Sequence, residues 1–179
     1  MFGRDLSHSS YIRDGGGIDR ESVKRLQPVW TTSAGARLAA AVSLADGVLY
    51  YGAWDGNFYA ASAVDGAVLW KNFVGIAATP ENPRCFPVIG VSSQAAIAGD
   101  KVYIGGGDAA VYAFDRATGA QLWRLPLGDP NSGAYIWSSP TIYNNALYIG
   151  LAFSAVAPTF VEESCASISI TPGNRWSNM

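Results

Sequence analysis

K-V-Y-I-G-G-G-D-A-A-V-Y-A-F-D-R-A-T-G-A-Q-L-W at residues 101–123 repeats, in outline, V-L-Y-Y-G-A-W-D-G-N-F-Y-A-A-S-A-V-D-G-A-V-L-W at residues 48–70. Laid over each other, the two stretches share Tyr50 with Tyr103, Gly52 with Gly105, Asp55 with Asp108, Tyr59 with Tyr112, Gly66 with Gly119, Leu69 with Leu122 and Trp70 with Trp123. The offset is 53 residues, and Trp176 falls on the same spacing. Repeats of about 40 to 50 residues that hold several short strands mark propeller blades, because a single blade cannot cover its own apolar faces and stacks on a neighbour. The fold class read from this is all-β, a β-propeller arc of about three four-stranded antiparallel blades, with fewer blades than the four to eight or so of a closed ring.

Working outward, residues 1–29 form a leading segment in which D-R-E-S-V-K-R-L at 19–26 is predicted as one short helix. Asp19 is its N-cap candidate, Val23 and Leu26 are spaced to face inward, and Pro28 ends it. Residues 30–179 are the repeats, with blades at about 30–70, 71–123 and 124–176, the last degenerate after Gly150. Within a copy the first strand is small and apolar and faces the ring axis: 39–44, 91–97 and 137–143. Asp46-Gly47, Gly99-Asp100 and Asn144-Asn145 then supply tight turns, being residue types that tolerate positive φ. Asp55-Gly56 turns the second strand into the third, and Asp65-Gly66 or Thr118-Gly119 turns the third into a fourth that ends on the tryptophan. Trp30, Trp70 and Trp123 are each followed five residues later by Gly35, Gly75 and Gly128, so one strand ending recurs three times.

These repeated residues have structural work. Asp115 accepts from turn N–H groups, Thr118 and Gly119 shape the turn, and Trp123 buries a large ring whose N–H needs an acceptor. Trp30, Gly66 and Trp70 do the same one blade earlier. Copy 1 departs by having Ser62 where the repeat has aspartate and Asp65 where it has threonine, which is expected to weaken that turn by about 1 kcal/mol.

Composition is that of a globular β protein: 49% hydrophobic, 12% aromatic and only 15% charged residues, with 20 glycines. A formal net charge of -2 without a basic run gives no footprint for a phosphate backbone. No apolar run approaches the roughly 20 residues of a membrane span, and M-F-G-R-D-L-S-H-S-S lacks the regions of a signal peptide. Cys85 and Cys165 lie at non-equivalent places and are read as free buried thiols, and His8 as a surface residue. Gly105-Gly106-Gly107 leads into a strand and not a helix, so it reads as a hairpin and not a phosphate loop. Six aspartates, Asp46, Asp55, Asp65, Asp100, Asp108 and Asp115, occupy turns, Glu162 and Glu163 read as a solvated loop, and no metal site is placed. No serine can be paired with a base, which leaves hydrolase chemistry without support.

A-F-D-R-A-T-G-A-Q-L-W at 113–123 resembles the repeat of the pyrroloquinoline-quinone (PQQ)-type, or quinoprotein, β-propellers, which place alanine, aspartate, threonine-glycine and tryptophan at these spacings. F-G-R-D-L-S-H-S-S-Y at 2–11 followed by V-K-R-L-Q-P-V-W at 23–30 resembles the stretch that leads quinoprotein dehydrogenases into their first blade. The resemblance implies that tryptophan contacts lock the blades. It also implies a quinone held over calcium at the axis, alcohol oxidation, and a periplasmic or extracellular location. Other members of similar appearance, such as the outer-membrane assembly lipoprotein, act as cofactor-free scaffolds for protein interaction.

Many alcohol-oxidising members carry a vicinal cysteine pair and then arginine-glycine before an inner strand. Here R-C-F-P-V-I-G-V-S-S at 84–93 pairs Cys85 with Phe86 and puts Ile89 in the arginine's place, which is closer to the pattern of polyvinyl-alcohol-type members. Arg84, which precedes the quinone-contacting stretch of the relatives, and Trp137, which starts an inner strand at the propeller mouth, are the candidate cofactor contacts. PQQ and calcium follow from the resemblance alone. The isolated chain is expected to be inactive, and its open strand edges to be covered by further blades or by self-association.

Overall fold

A computed structural model of the chain describes residues 17–78 and 88–153, and the backbone of 166–170. Blade 1 is a four-stranded antiparallel sheet of β1 (Ser43–Ala45), β2 (Val48–Gly52), β3 (Asn57–Ser62) and β4 (Val68–Phe73), joined in that order. A two-stranded ladder of β5 (Ala77–Ala78) and β6 (Val88–Ile89) leads to blade 2. There β7 (Ala96–Ala98), β8 (Lys101–Gly105), β9 (Ala110–Asp115) and β10 (Gln121–Pro126) repeat the same order. Blade 3 holds β11 (Ala134–Tyr135), β12 (Thr141–Tyr143), β13 (Ala146–Phe153) and β14 (Ala166–Ile170), with β13 paired to the other three. The propeller arc expected from the repeats is the fold that forms.

Turn chemistry fixes the hairpins. Asp46 (φ 47), Gly47 (φ 75), Gly99 (φ 59), Asn144 (φ 47) and Asn145 (φ 60) all take the left-handed backbone that reverses a strand within two residues. Alternation then sends successive side chains to opposite faces of each blade. In blade 2, Val102, Ile104, Tyr112 and Phe114 pack towards Tyr50, Phe58 and Ala60 of blade 1, while Tyr103, Val111 and Ala113 pack towards Ile136, Leu147 and Ile149 of blade 3. Both faces are therefore dry, and Ala110 to Phe114 are buried without interruption. Each large apolar side chain so buried contributes roughly 1.5 to 3 kcal/mol.

Close approach of the blades explains several glycines. A Cβ on Gly52 would lie 2.1 Å from Val91 Cγ1, and one on Gly105 would lie 2.4 Å from Ile136 Cγ2. Each thus admits a side chain from the segment that leads into the inner strand of the next blade. The run Gly105-Gly106-Gly107 is a hairpin end against which blade 1 lies: added Cβ atoms on Gly106 and Gly107 would each come within 2.4 Å of the carbonyl oxygens of Val74 and Gly75.

Three details differ from the sequence expectation. The helix at 19–26 is a single 3-10 turn, Ser22–Arg25, too short to build an inward face, and Val23 and Leu26 are exposed. Asp19 acts just before it, its carboxylate accepting from the N–H groups of Glu21 and Ser22 at 2.9 and 2.6 Å. The inner strands are short, starting at Ser43, Ala96 and Thr141, and the fourth strands run three residues beyond their tryptophan, to Phe73 and Pro126. Blade 3 follows blade 2 at a 45-residue offset, as the expected turn at Asn144-Asn145 requires, Gly150 standing for Gly105 and Ser138 for Ser93 in equivalent bonds. Trp176 lies outside the described residues.

Candidate functional site at the propeller mouth

Two tryptophans seat on the closing turn of a blade, Trp30 from the segment before blade 1 on that of blade 1 and Trp70 from blade 1 on that of blade 2. Trp30 lies over Gly66, where a Cβ would sit 2.7 Å from Cε3, and its Nε1 donates to the carbonyl of Ala63 at 3.0 Å. Trp70 lies in the same way over Gly119, where a Cβ would sit 2.6 Å from Cδ2, and donates to the carbonyl of Arg116 at 3.2 Å. Asp115 Oδ1 organises that turn, accepting from the N–H groups of Ala117 and Thr118 and from Thr118 Oγ1 at 3.1, 2.8 and 2.7 Å. Its carboxyl is held below the ordinary aspartate value, first by the Thr118 hydroxyl and then by the Thr118 N–H. Trp123 stands against Tyr103 with ring centroids 5.9 Å apart, as Trp70 stands against Tyr50 at 5.9 Å.

The opposite end of the sheets is the mouth, where each second strand finishes and each inner strand begins. Trp54 is fastened there by its N–H to the carbonyl of Arg37 at 2.9 Å and by Nε1 to Ser92 Oγ at 3.2 Å, with the Arg37 guanidinium 5.9 Å from its ring centre. Ser93 Oγ accepts from the N–H of Gly105 at 3.2 Å, and Ser138 Oγ accepts from that of Gly150 at 2.7 Å while donating to its carbonyl at 3.0 Å. These hydroxyls clasp the second strand to the inner one. Ser43 Oγ donates to the carbonyl of Ala95 at 2.7 Å, and Ser139 Oγ accepts from the N–H of Gln94 at 3.0 Å, so hydroxyls also bridge blades along the axis. Below the mouth, Val42, Leu44, Ala95, Ile97, Pro140 and Ile142 line an axial hollow of about 320 Å³.

Carboxylates near the mouth are already engaged. Tyr59 Oη donates to Asp55 Oδ2 at 2.5 Å and Tyr112 Oη to Asp108 Oδ2 at 2.8 Å. Arg124 adds an ion pair to Asp108 at 2.6 Å and a bond from Nε to Tyr112 Oη at 2.9 Å. Burial and then the Asp55 bond push the Tyr59 phenol up to about 12, and burial and then the Asp108 bond do the same for Tyr112. Burial alone would raise Asp55, but the bonds from Tyr59 and Asn57 outweigh it and its carboxyl lies below the usual range. Gly35 and Gly75 abut these aspartates: an added Cβ would be 3.6 Å from Asp55 Oδ2 and 2.4 Å from Asp108 Cβ. Gly128 breaks that series and lies against Ala134 and Leu151.

Trp137 lies at the mouth, 53% exposed and edge-on to Tyr135 with ring centroids 5.8 Å apart. Its neighbours Ser138 and Ser139 are committed to backbone bonds. Arg84, with Cys85, Cys165, His8, Glu162 and Glu163, lies outside the described residues. Trp54, Ser92 and Arg37 were not singled out from the sequence. The available signal was an indole at position 54 where the second copy has Gly107. Among the described residues no group of three histidines, cysteines, aspartates or glutamates could hold a metal ion. Among the described residues no helix is long and apolar enough to cross a membrane.

Comparison with known proteins gives the same family from two directions. A family of PQQ-type repeats, described as outer membrane protein assembly factor BamB, matches residues 27–178. The chain is 36% identical over 130 residues to a 1-butanol dehydrogenase (quinone) of Thauera butanivorans and 34% identical over 130 residues to a quinoprotein ethanol dehydrogenase of Pseudomonas putida. Each match covers 70% of this chain and 20% of the relative, so the chain spans about one fifth of the length of these relatives. A europium-containing methanol dehydrogenase superposes with a TM-score of 0.63 at 22% identity, over 76% of this chain and 24% of that one. BamB from Moraxella catarrhalis superposes with a TM-score of 0.56 at 20% identity, over 69% and 39%. At those identities the two structures speak for the propeller fold.

Proposed function

We propose, on the premise that this chain belongs to the PQQ-type β-propeller repeat family, that it is an arc of a quinone-dependent alcohol dehydrogenase whose complete form oxidises an alcohol and passes the electrons onward. The observation that carries this reading is the 36% identity over 130 residues with a 1-butanol dehydrogenase (quinone). In this reading the chain's residues are walls and clamps. Serine clasps and interblade tryptophans hold the inner strands rigid, and Trp137 and Arg84 contact the quinone from the mouth. No described residue is assigned to calcium, and Asp55 and Asp108 are bound to tyrosines and, for Asp108, to Arg124. The chain alone is therefore expected to be inert towards alcohols. Its place of action is the periplasm, and further blades, or a second copy, cover its flanks.

A second reading is a cofactor-free scaffold for protein interaction. It is favoured by the family description and by Ile89, which stands where many alcohol-oxidising members have arginine. One experiment separates the two. The 179-residue chain, and a longer product of the same reading frame carrying further repeats, are mixed with PQQ and calcium and assayed for dye-linked oxidation of 1-butanol and for a shift in melting temperature. The dehydrogenase reading expects no dye reduction by the short chain and quinone-dependent reduction by the long one. A long product that binds no quinone leaves the scaffold reading standing, and activity in the short chain overturns the inertness proposed here.

A further inference from the structure

Three Asp-Gly pairs fall among the described residues, Asp46-Gly47, Asp55-Gly56 and Asp65-Gly66, while Asp14-Gly15 lies outside them. Each pair is a chemical weak point, because a glycine amide nitrogen, with no Cβ to shield it, can attack the side-chain carboxyl of the aspartate before it. The fold protects two of the three. Gly56 and Gly66 are buried, and their N–H groups donate to the carbonyls of Ala53 at 3.2 Å and Ser62 at 2.9 Å. The Asp55 carboxylate is held by Asn57 and Tyr59, and that of Asp65 by the N–H of Ala67 at 3.1 Å.

Asp46-Gly47 lacks both protections. Gly47 is exposed, its N–H has no acceptor among the described residues, and an added Cβ there would have no atom within 4 Å. The Asp46 side chain is 76% exposed, and its guard among the described residues is the Arg116 guanidinium, Nη2 to Oδ2 at 2.7 Å. An ion pair so open to water is weak and opens often. We propose that Asp46-Gly47 is a site of spontaneous isomerisation, the first of the described residues to age in the folded chain. The Gly47 nitrogen bonds to Cγ of Asp46, and the carboxyl hydroxyl leaves as water with the amide proton. The resulting five-membered succinimide takes up water at either of its carbonyls. Addition at the α-carbonyl breaks its bond to nitrogen and leaves the main chain running through Cβ and Cγ, with the α-carboxylate as the new side group. No atom is gained or lost overall, and nothing is oxidised or reduced.

What the hairpin holds gives the modification its consequence. Asp46 and Gly47 take φ 47 and φ 75 in the two-residue turn that joins β1 to β2, a geometry that fits α-linked residues and has no room for an extra methylene in the backbone. The carbonyl of Gly47 accepts from the N–H of Ala63 at 2.8 Å, and the carbonyl of Ala63 in turn accepts from Trp30 Nε1. The Asp46 carboxylate holds the side chain of Arg116, whose carbonyl accepts from Trp70 Nε1. This one turn therefore touches the seats of two tryptophans.

The test is mass spectrometry on the full chain, incubated warm at near-neutral pH in native buffer and in denaturant. Tryptic peptide 38–71 carries all three pairs, and electron-transfer fragmentation tells aspartate from isoaspartate at each. In denaturant the three sites are expected to react at comparable rates. In the native chain Asp55 and Asp65 must open locally before they react and are expected to slow at least about tenfold, while Asp46 stays within about threefold of its denatured rate. Arg116→Gln is expected to raise the native rate at Asp46 by about two- to fivefold, as release of an exposed ion pair allows, and to leave Asp65 unchanged. A native Asp46 slowed as much as Asp65, or either protected site reacting first, overturns the proposal. An unchanged Asp46 rate in Arg116→Gln overturns the guarding role of Arg116. If that variant fails to fold, the ranking of the three sites in the parent chain decides alone.

Discussion

In blade 2 the closing turn hangs on Asp115, which accepts from two backbone N–H groups and from the Thr118 hydroxyl, and Thr118 Oγ1 in turn accepts from the N–H of Ala120 at 3.2 Å. In blade 1 the hydroxyl and the carboxylate have changed places. Ser62 Oγ accepts from the N–H of Val64 at 3.2 Å, and Asp65 accepts from that of Ala67 at 3.1 Å. The Ser62 hydroxyl, as the leading cause, holds Asp65 below the ordinary aspartate value, just as Thr118 does for Asp115. A hydroxyl–carboxylate pair thus spans both turns with its direction reversed. The departure in copy 1 leaves one fewer backbone N–H held by a side chain and keeps the pair. What the two blades share is the geometry presented to the preceding tryptophan, and the residues that produce it are interchangeable within that limit.

Removing the tryptophans probes that shared geometry most severely. Trp70→Ala is expected to destabilise by about 3 to 5 kcal/mol, as large core truncations do. Trp70 touches Tyr50, Phe58 and Phe114 as well as its glycine seat, so Trp30→Ala is expected to cost less. Denaturant titration of both variants checks this. Equal losses would mean that the two seats, and not the aromatic cluster around Trp70, supply the energy.

The turn from second to third strand gives a sharper contrast. Gly56 has φ 81 and Ala109, its counterpart, has φ 57. A Cβ on Gly56 would meet Phe73 Cε2 at 2.6 Å and Ile76 Cγ2 at 2.7 Å, whereas in blade 2 position 126 is proline and position 129 aspartate. Gly56→Ala is therefore expected to cost about 2 to 4 kcal/mol, from the crowding and from the left-handed backbone. Ala109→Gly removes the backbone strain at some cost in chain entropy, and is expected to stay within about 1 kcal/mol of the parent. Thermal melts of the pair decide it, and a mild Gly56→Ala would mean that the Phe73 ring swings aside freely.

Most of the framework was legible before any coordinates, because its signals are local. Asp46-Gly47 and Asn144-Asn145 specify positive φ by themselves, and alternation around Tyr50 and Phe114 specifies two buried faces. What escaped depends on the neighbouring blade. Nothing within 105–107 announces that Val74 and Gly75 will press on those glycines, and nothing near residue 30 reveals that its indole seats on Gly66. In the third copy the local signals were again legible, Asn144-Asn145 marking the turn and 146–150 the second strand, whereas Trp176 lies outside the described residues. At the mouth, position along an inner strand singled out Trp137. Trp54 escaped because its fastening to Ser92 and Arg37 joins segments far apart in sequence.

The two tyrosine–aspartate bonds offer a milder comparison, made by pH. Tyr59 and Tyr112 are both raised from 10.0 to about 12 in the folded chain, so the protonated phenol is favoured by folding. Their contribution is complete below pH 10, the unfolded value, and is lost as pH rises from there towards 12. Stability is expected to fall over that window, and to fall less steeply in Tyr59→Phe or Tyr112→Phe. Phenolate absorbance followed alongside denaturant midpoints would check it. A slope unchanged by either substitution would mean that other groups carry the alkaline loss.

The smallest expected effect is also the most direct test of role exchange. The double variant Ser62→Asp with Asp65→Thr gives blade 1 the turn of blade 2 and allows the carboxylate to take the additional N–H. Its melting temperature is expected to rise by no more than a few degrees, roughly what one surface hydrogen bond allows. The acid profile should not move. Both aspartates are depressed below 3.8 in the folded chain, so each contributes stability that is present above that value and lost as pH falls through its folded one. One depressed carboxylate per turn remains after the exchange, whichever position holds it. Either single variant breaks this parity: Ser62→Asp puts two carboxylates in one turn, where like charges repel, and Asp65→Thr leaves two hydroxyls and removes the acid-sensitive group. If the double variant melts no higher than the Ser62→Asp single one, the two positions act independently, and the correspondence between the blades is one of backbone shape alone.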